Sequence, residues 1–252
     1  MQEVTDKPIR SKAKYEDATK PTHRKSVPEM KSLWKEVVSE AVGTALLLAT
    51  VVGSGIMGER LAGGNVAVAL LANTLATGAG LVALILTFGP ISGAHFNPAV
   101  SLCGAWMGGL AWRKVIPYAL AQVFGAFLGV AAANLMFDLP VYFASQHVRT
   151  GPSQWFSEFV ATFGLLSVIL GCSRRRPAAV PFAVGAYITA AYWFTASTSF
   201  ANPAVTLARS ASDTFAGIRF IDAPGFILAQ LLGACAATAL CKWLLPSADS
   251  PN

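Results

Sequence analysis

Two stretches concentrate the polar groups that could handle a small molecule: Ser92-Gly93-Ala94-His95-Phe96-Asn97-Pro98-Ala99-Val100 and Ser199-Phe200-Ala201-Asn202-Pro203-Ala204-Val205. No nucleophile–base spacing stands out, and Cys103, Cys172, Cys235 and Cys241 lack metal-ligand spacing. No enzyme activity, cofactor or metal is therefore expected. The chemistry on offer is hydrogen bonding. Asn97 and Asn202 are good helix N-caps, and Pro98 and Pro203 suit the first helical position. If each asparagine oxygen caps its own helix, each NH2 is left to donate to a passing molecule. Each helix start also carries free N–H groups and a positive dipole end. A neutral hydroxylic solute would find partners there, while cations would be opposed.

These helix starts lie between long apolar runs. The chain has 252 residues, 54% hydrophobic and 13% charged, where a soluble domain carries about 25% charged. Six runs are long enough to cross a bilayer: about 34–56, 66–88, 115–137, 154–172, 178–197 and 225–245. The fold class is an all-α membrane protein. Irregular backbone at membrane depth is tolerated only where protein buries it or water wets it, so two interior helix starts predict a wet path. Residues 1–32 read as a flexible basic tail without the apolar core of a signal peptide, 33–245 as the membrane domain, and 246–252 as a second tail. Ser26, after Arg24-Lys25, is a weak phosphorylation candidate.

The net charge of +6 raises nucleic acid as a partner, but its distribution argues against one. Fifteen of the 19 basic residues fall on one side of the predicted topology, among them Lys7, Arg10, Lys35, Arg113, Lys114, Arg174, Arg175, Arg176 and Lys242. Arg60, Arg149, Arg209 and Arg219 fall on the other. The positive-inside rule then puts both termini in the cytoplasm, in a multi-pass protein of the plasma (inner) membrane. Trp34, Trp112, Trp155 and Trp243 near span ends fit an interfacial belt.

The chain is duplicated. Glu40 recurs as Glu158, 118 positions on; Asn97 as Asn202, 105 on; Gln122 as Gln230, 108 on. The repeats cover about 33–137 and 154–245, each holding three spans and one half-helix. Three is an odd number, so the second repeat lies inverted, and the half-helices meet near the midplane. Glu40 and Glu158 are the telling charges inside spans. A proton relay is one reading; acceptance of backbone N–H bonds from the re-entrant loops is the favoured one. Gln122 and Gln230 read as interhelical contacts.

Duplicated six-span topology, paired Asn-Pro-Ala and the run Ser92 to Asn97 together resemble the major intrinsic proteins, the aquaporins and aquaglyceroporins. Within that family the run from Phe200 to Ser210 is similar to a bacterial aquaglyceroporin branch linked to arsenic detoxification. The resemblance implies six transmembrane helices plus two re-entrant half-helices, and a homotetramer with one pore per subunit. It implies a passive channel for water, glycerol-like polyols, urea, and arsenous acid or methylated arsenicals. The pore motifs would be Asn97-Pro98-Ala99 and Asn202-Pro203-Ala204. The lining carbonyls would come from Gly93, Ala94, His95, Ser199, Phe200 and Ala201. Family spacing puts the selectivity filter at Thr77, Ala190, Ser199 and Val205. The usual family pattern has Arg at the fourth position and aromatic or His side chains among the others, so this filter is expected to be wide. Arg209, one turn beyond Val205, either turns to lipid headgroups or a neighbour's carbonyls, or reaches the outer vestibule and partly replaces the missing charge. An ion- or proton-coupled transporter and a non-conducting scaffold are the alternatives.

Overall fold

The computed structural model describes residues 29–245. The tail readings, including Ser26 and the basic residues before Glu29, lie outside the described residues.

Eight α-helices carry the described chain: α1 (Glu29–Leu61), α2 (Val66–Ser92), α3 (Pro98–Trp106), α4 (Trp112–Met136), α5 (Pro152–Arg175), α6 (Val180–Phe194), α7 (Pro203–Arg209) and α8 (Ala223–Leu244). Among the described residues, five are long and apolar enough to cross a membrane: α1, α2, α4, α5 and α8 with the 3₁₀ turn before it. The remaining apolar run of the sequence, expected at 178–197, holds the shorter α6. Its 15 residues extend about 22 Å, and the 3₁₀ turn Pro177–Ala179 lengthens it.

Local signals set several boundaries. Asn65 accepts from the N–H groups of Ala67 and Val68 and starts α2. α2 runs through Pro90 to Ser92 and stops at Gly93, whose φ of 88° suits a residue without Cβ and whose N–H bonds to Gly89 O.

The helices pack as two matching sets. α1 and α4 run side by side in parallel: Lys114 near the start of α4 pairs with Glu36 at 2.7 Å, and Arg60 near the end of α1 donates to Phe137 O just after α4. Their approach depends on Gly125, where a Cβ would lie 2.1 Å from the Ala41 carbonyl oxygen. α5 and α8 repeat this arrangement, with Gly233 placed so that a Cβ would lie 2.4 Å from Phe159 O. α2 packs on α6 between the sets. The core cluster draws Leu48 and Val52 from α1, Leu166 from α5 and Ala234 and Ala237 from α8 around the two half-helices. All four cysteines are free thiols; Cys103 and Cys241 are buried, Cys172 and Cys235 partly so.

Candidate functional site

The half-helices α3 and α7 meet at their N-termini. Asn97 Oδ1 accepts from Ala99 N at 2.9 Å; Asn202 Oδ1 accepts from Ala204 N at 3.0 Å and Val205 N at 3.3 Å. Each asparagine also reaches across to the other loop. Asn97 Nδ2 donates to Ala201 O at 2.7 Å, and Asn202 Nδ2 donates to Phe96 O at 2.8 Å. The amides are thus only half free: one hydrogen of each joins the two loops, and one remains for the lumen. Both asparagines line the cavity.

The approach to each cap is strained in the same way. Ala94 and Phe96 have φ of 48° and 50°, and Ser199 and Ala201 have 50° and 46°. A residue with a Cβ in this region costs on the order of 1–2 kcal/mol, so both loops need fixed partners. The carboxylates supply them. Glu40 accepts from His95 N (2.9 Å), Phe96 N (2.7 Å), Ser92 Oγ (2.6 Å) and Gln122 Nε2 (2.8 Å). Glu158 accepts from Phe200 N (2.9 Å), Ala201 N (2.8 Å) and Gln230 Nε2 (2.6 Å). Gln122 and Gln230 also reach Ser101 Oγ and Thr206 Oγ1 on the half-helices. Both carboxylates are fully buried. Their oxygens face donors on every side, which is the buttressing geometry and not that of a relay open to a lumen.

A cavity of about 380 Å³ runs past the junction. Met107, Gly109 and Arg174 line one end, and Thr77, Tyr192, Ser199 and Arg209 the other. Between them the wall is largely aliphatic, with Val51, Leu81, Leu166, Val184 and Ile188 facing backbone from Gly93 to Phe96 and from Ser199 to Ala201. Of the predicted lining groups, Gly93, Ala94, His95, Phe200 and Ala201 all border this space. The Ala201 carbonyl is also engaged by Asn97.

Three of the four predicted filter residues border the cavity: Thr77, Ser199 and Val205. Ala190 does not. It is exposed on the outer side of α6, and Tyr192 takes the lining position, with its hydroxyl 3.3 Å from Thr77 Oγ1. The reason is helical phase. Val184, Ile188 and Tyr192 stand four apart on one face, and a residue two positions away points to the far side. Ser199 Oγ is buried without a hydrogen-bond partner among the described residues.

Arg209 is not turned to lipid. It is 2% exposed, its Nε donates to Ala216 O, and its guanidinium carbon lies 3.4 Å from the centroid of the Phe200 ring. Arg149, on the loop between α4 and α5, covers the same ring at 5.1 Å. It donates to the carbonyls of Gly217 (2.8 Å), Ser197 (3.3 Å) and Phe215 (3.4 Å). Burial pushes the Arg149 guanidinium down to about 10, against Glu158 and Tyr192, which favour its charge. Sequence reasoning passed over Arg149 because a loop cation has no periodicity to reveal its partners.

Two re-entrant helix starts facing each other across a lumen, each tied to a buried carboxylate, define a membrane channel. The sequence profile of the family described as "Major intrinsic protein" matches residues 28–191, and the chain belongs to that family, whose members are channels and not enzymes. The chain is 60% identical over 216 residues to aquaglyceroporin AqpS of Rhizobium meliloti (strain 1021), covering 86% of this chain and 92% of the relative. Aquaporin NIP2-3 of Zea mays is 32% identical over 230 residues, covering 87% and 74% respectively. The X-ray structure of the aquaglyceroporin from Plasmodium falciparum superposes with a TM-score of 0.65 at 22% identity, covering 85% of this chain and 98% of that one, a likeness of fold.

Proposed function

We propose that the pore carries small neutral solutes: water, glycerol-like polyols and urea, with arsenous acid and methylated arsenicals as further candidates. The observation that carries this is the lumen itself. One aliphatic wall faces one polar track, in which backbone carbonyls and a single free hydrogen on each of Asn97 and Asn202 replace a solute's water partners. Thr77, Tyr192, Ser199 and Val205 form the selectivity filter in this reading. The isopropyl group of Val205 leaves its side of the constriction without a donor, and the Ser199 hydroxyl is buried away from the lumen. A proton-coupled mechanism would call on Glu40 or Glu158, and both are occupied by loop and interhelical donors. A homotetramer with one pore per subunit, set in the plasma (inner) membrane with both termini cytoplasmic, completes the proposal. Stopped-flow permeabilities of proteoliposomes for water, glycerol, urea and arsenous acid test it. Rates above those of protein-free vesicles are expected for water and at least one larger solute. Protein-free rates for all four would overturn it.

A further inference from the structure

The lumen holds one buried cation that the protein leaves incompletely partnered. Arg209 sits one helical turn past Val205 and borders the same cavity as Val205, Ser199 and Tyr192. Its Nε is bonded to Ala216 O and its plane lies on Phe200. Among the described residues its two terminal nitrogens have no hydrogen-bond partner, and no acidic side chain forms an ion pair with it. Four N–H donors and a charge cannot remain buried without partners. The lumen is the place where partners can come from. Arg149, over the same Phe200 ring at 5.1 Å, is different: its nitrogens are spent on three carbonyls. The first repeat offers no counterpart, because the position 105 before Arg209 is Gly104. The duplication therefore supplies no matching guanidinium; Arg174, which lines the other end of the cavity, comes from the end of α5.

We propose that Arg209 is a specificity-determining residue of this pore: its two free amino groups bind the acceptor oxygens of uncharged polyhydroxylic solutes, and its charge excludes cations. This rests on the channel reading above. The Phe200 ring and the Ala216 carbonyl fix the side chain, so its donors are held toward the lumen at little further entropic cost. Displacement by one turn leaves the ring of Thr77, Ser199 and Val205 without a guanidinium and puts the donors in series with it.

Proteoliposomes bearing wild type, Arg209→Gln and Arg209→Lys test the assignment through the glycerol-to-water permeability ratio and potassium leak under an applied voltage. Arg209→Gln is expected to assemble, conduct water, lower the ratio by about tenfold, the scale of one charge-assisted hydrogen bond, and admit potassium. Arg209→Lys keeps the charge and loses the planar fork; it is expected to exclude potassium while the ratio falls. An unchanged ratio in Arg209→Lys overturns the proposal even if Arg209→Gln does not fold, and an unchanged ratio and leak in assembled Arg209→Gln overturns it directly. Wild-type vesicles with protein-free rates for water, glycerol, urea and arsenous acid alike would overturn the channel reading; wild-type vesicles that conduct water but no glycerol would overturn this assignment alone.

Discussion

Two positions before its asparagine, the first re-entrant loop carries His95 and the second carries Phe200. His95 lies edge-on to Tyr118 at 5.6 Å, with Nδ1 3.1 Å from Ser101 Oγ. Phe200 lies edge-on to Phe226 at 5.2 Å and is covered by Arg149 and Arg209. Beneath this difference the two loops share one skeleton. Gly93, Ala94 and Phe96 have positive φ, and so do Thr198, Ser199 and Ala201, 105 positions on. Ser92 Oγ accepts from Ala94 N, and Ser197 Oγ from Ser199 N. Each loop gives two N–H groups to one carboxylate, and each asparagine holds the opposite loop. The repeated groups are those that hold strained backbone inside a membrane, where every unpaired polar group is costly. The groups that differ, His95 in one loop and Phe200 with its two arginines in the other, are not needed to hold that backbone.

Breaking the shared skeleton should produce the largest effects. Glu40→Gln and Glu158→Gln each replace an acceptor oxygen with a donor that faces other donors, at about 1.5–3 kcal/mol per charge-assisted bond lost. Both variants are expected to melt far below wild type in detergent. Glu40→Gln should be the worse, because Ser92 Oγ adds a fourth donor that Glu158 does not have. Normal melting with lost pH-dependent transport would instead mark a relay.

Asn97→Asp and Asn202→Asp test the crossing amides. Each keeps the helix cap but sets a carboxylate oxygen against the opposite carbonyl, Ala201 O or Phe96 O. An ionised side chain at that depth costs on the order of 2.5–3.5 kcal/mol, so glycerol flux should fall by about tenfold or more. The two losses should be alike. A variant that conducts normally while its partner does not would show that the symmetry is only geometric.

Val205→Arg sharpens the difference between the loops. It would bring a second guanidinium within one turn of Arg209, beside Tyr192 and not beside a small residue. Glycerol permeability is expected to drop about 5–10-fold more than water permeability. An unchanged ratio in assembled channels would remove Val205 from the filter.

The smallest effect concerns the loop that brings Arg149 to Phe200. Partial burial, then Arg149 and Arg209, hold the His147 imidazole below its usual 6.5, against Asp213. The folded state therefore binds fewer protons than the unfolded chain, so this contribution to stability is present above that value and lost as the pH falls below it. Melting temperature should fall slightly more for wild type than for His147→Gln on going from about pH 7.5 to about pH 5.5. Identical shifts would show that His147 is not coupled to the loop.

Much of the skeleton could be read in advance because duplication doubles every signal. Glu40 alone in an apolar span is ambiguous; Glu40 and Glu158 in register with two Asn-Pro pairs and two glutamines are not. The half-helices followed from cap chemistry, and the spans from hydropathy. What was not legible depends on helical phase and on contacts distant in sequence. Ala190 was placed inward by spacing taken from the family, whereas the face of α6 that carries Val184, Ile188 and Tyr192 is the one that lines the lumen. The cross-loop bonds of the asparagines join residues 104 and 106 positions apart, beyond the reach of any local pattern. Asn73, buried and donating to Val51 O and Ser54 Oγ, ties α2 to α1 without any sequence cue.

The central claim, a passive pore through paired helix starts, is tested most directly by glycerol flux in wild-type proteoliposomes across a range of glycerol gradients, with and without an imposed proton gradient. The account predicts a rate that rises linearly with the glycerol gradient, ends at equal concentrations and is unmoved by an uncoupler. Accumulation of glycerol against its gradient, abolished by the uncoupler, would contradict it.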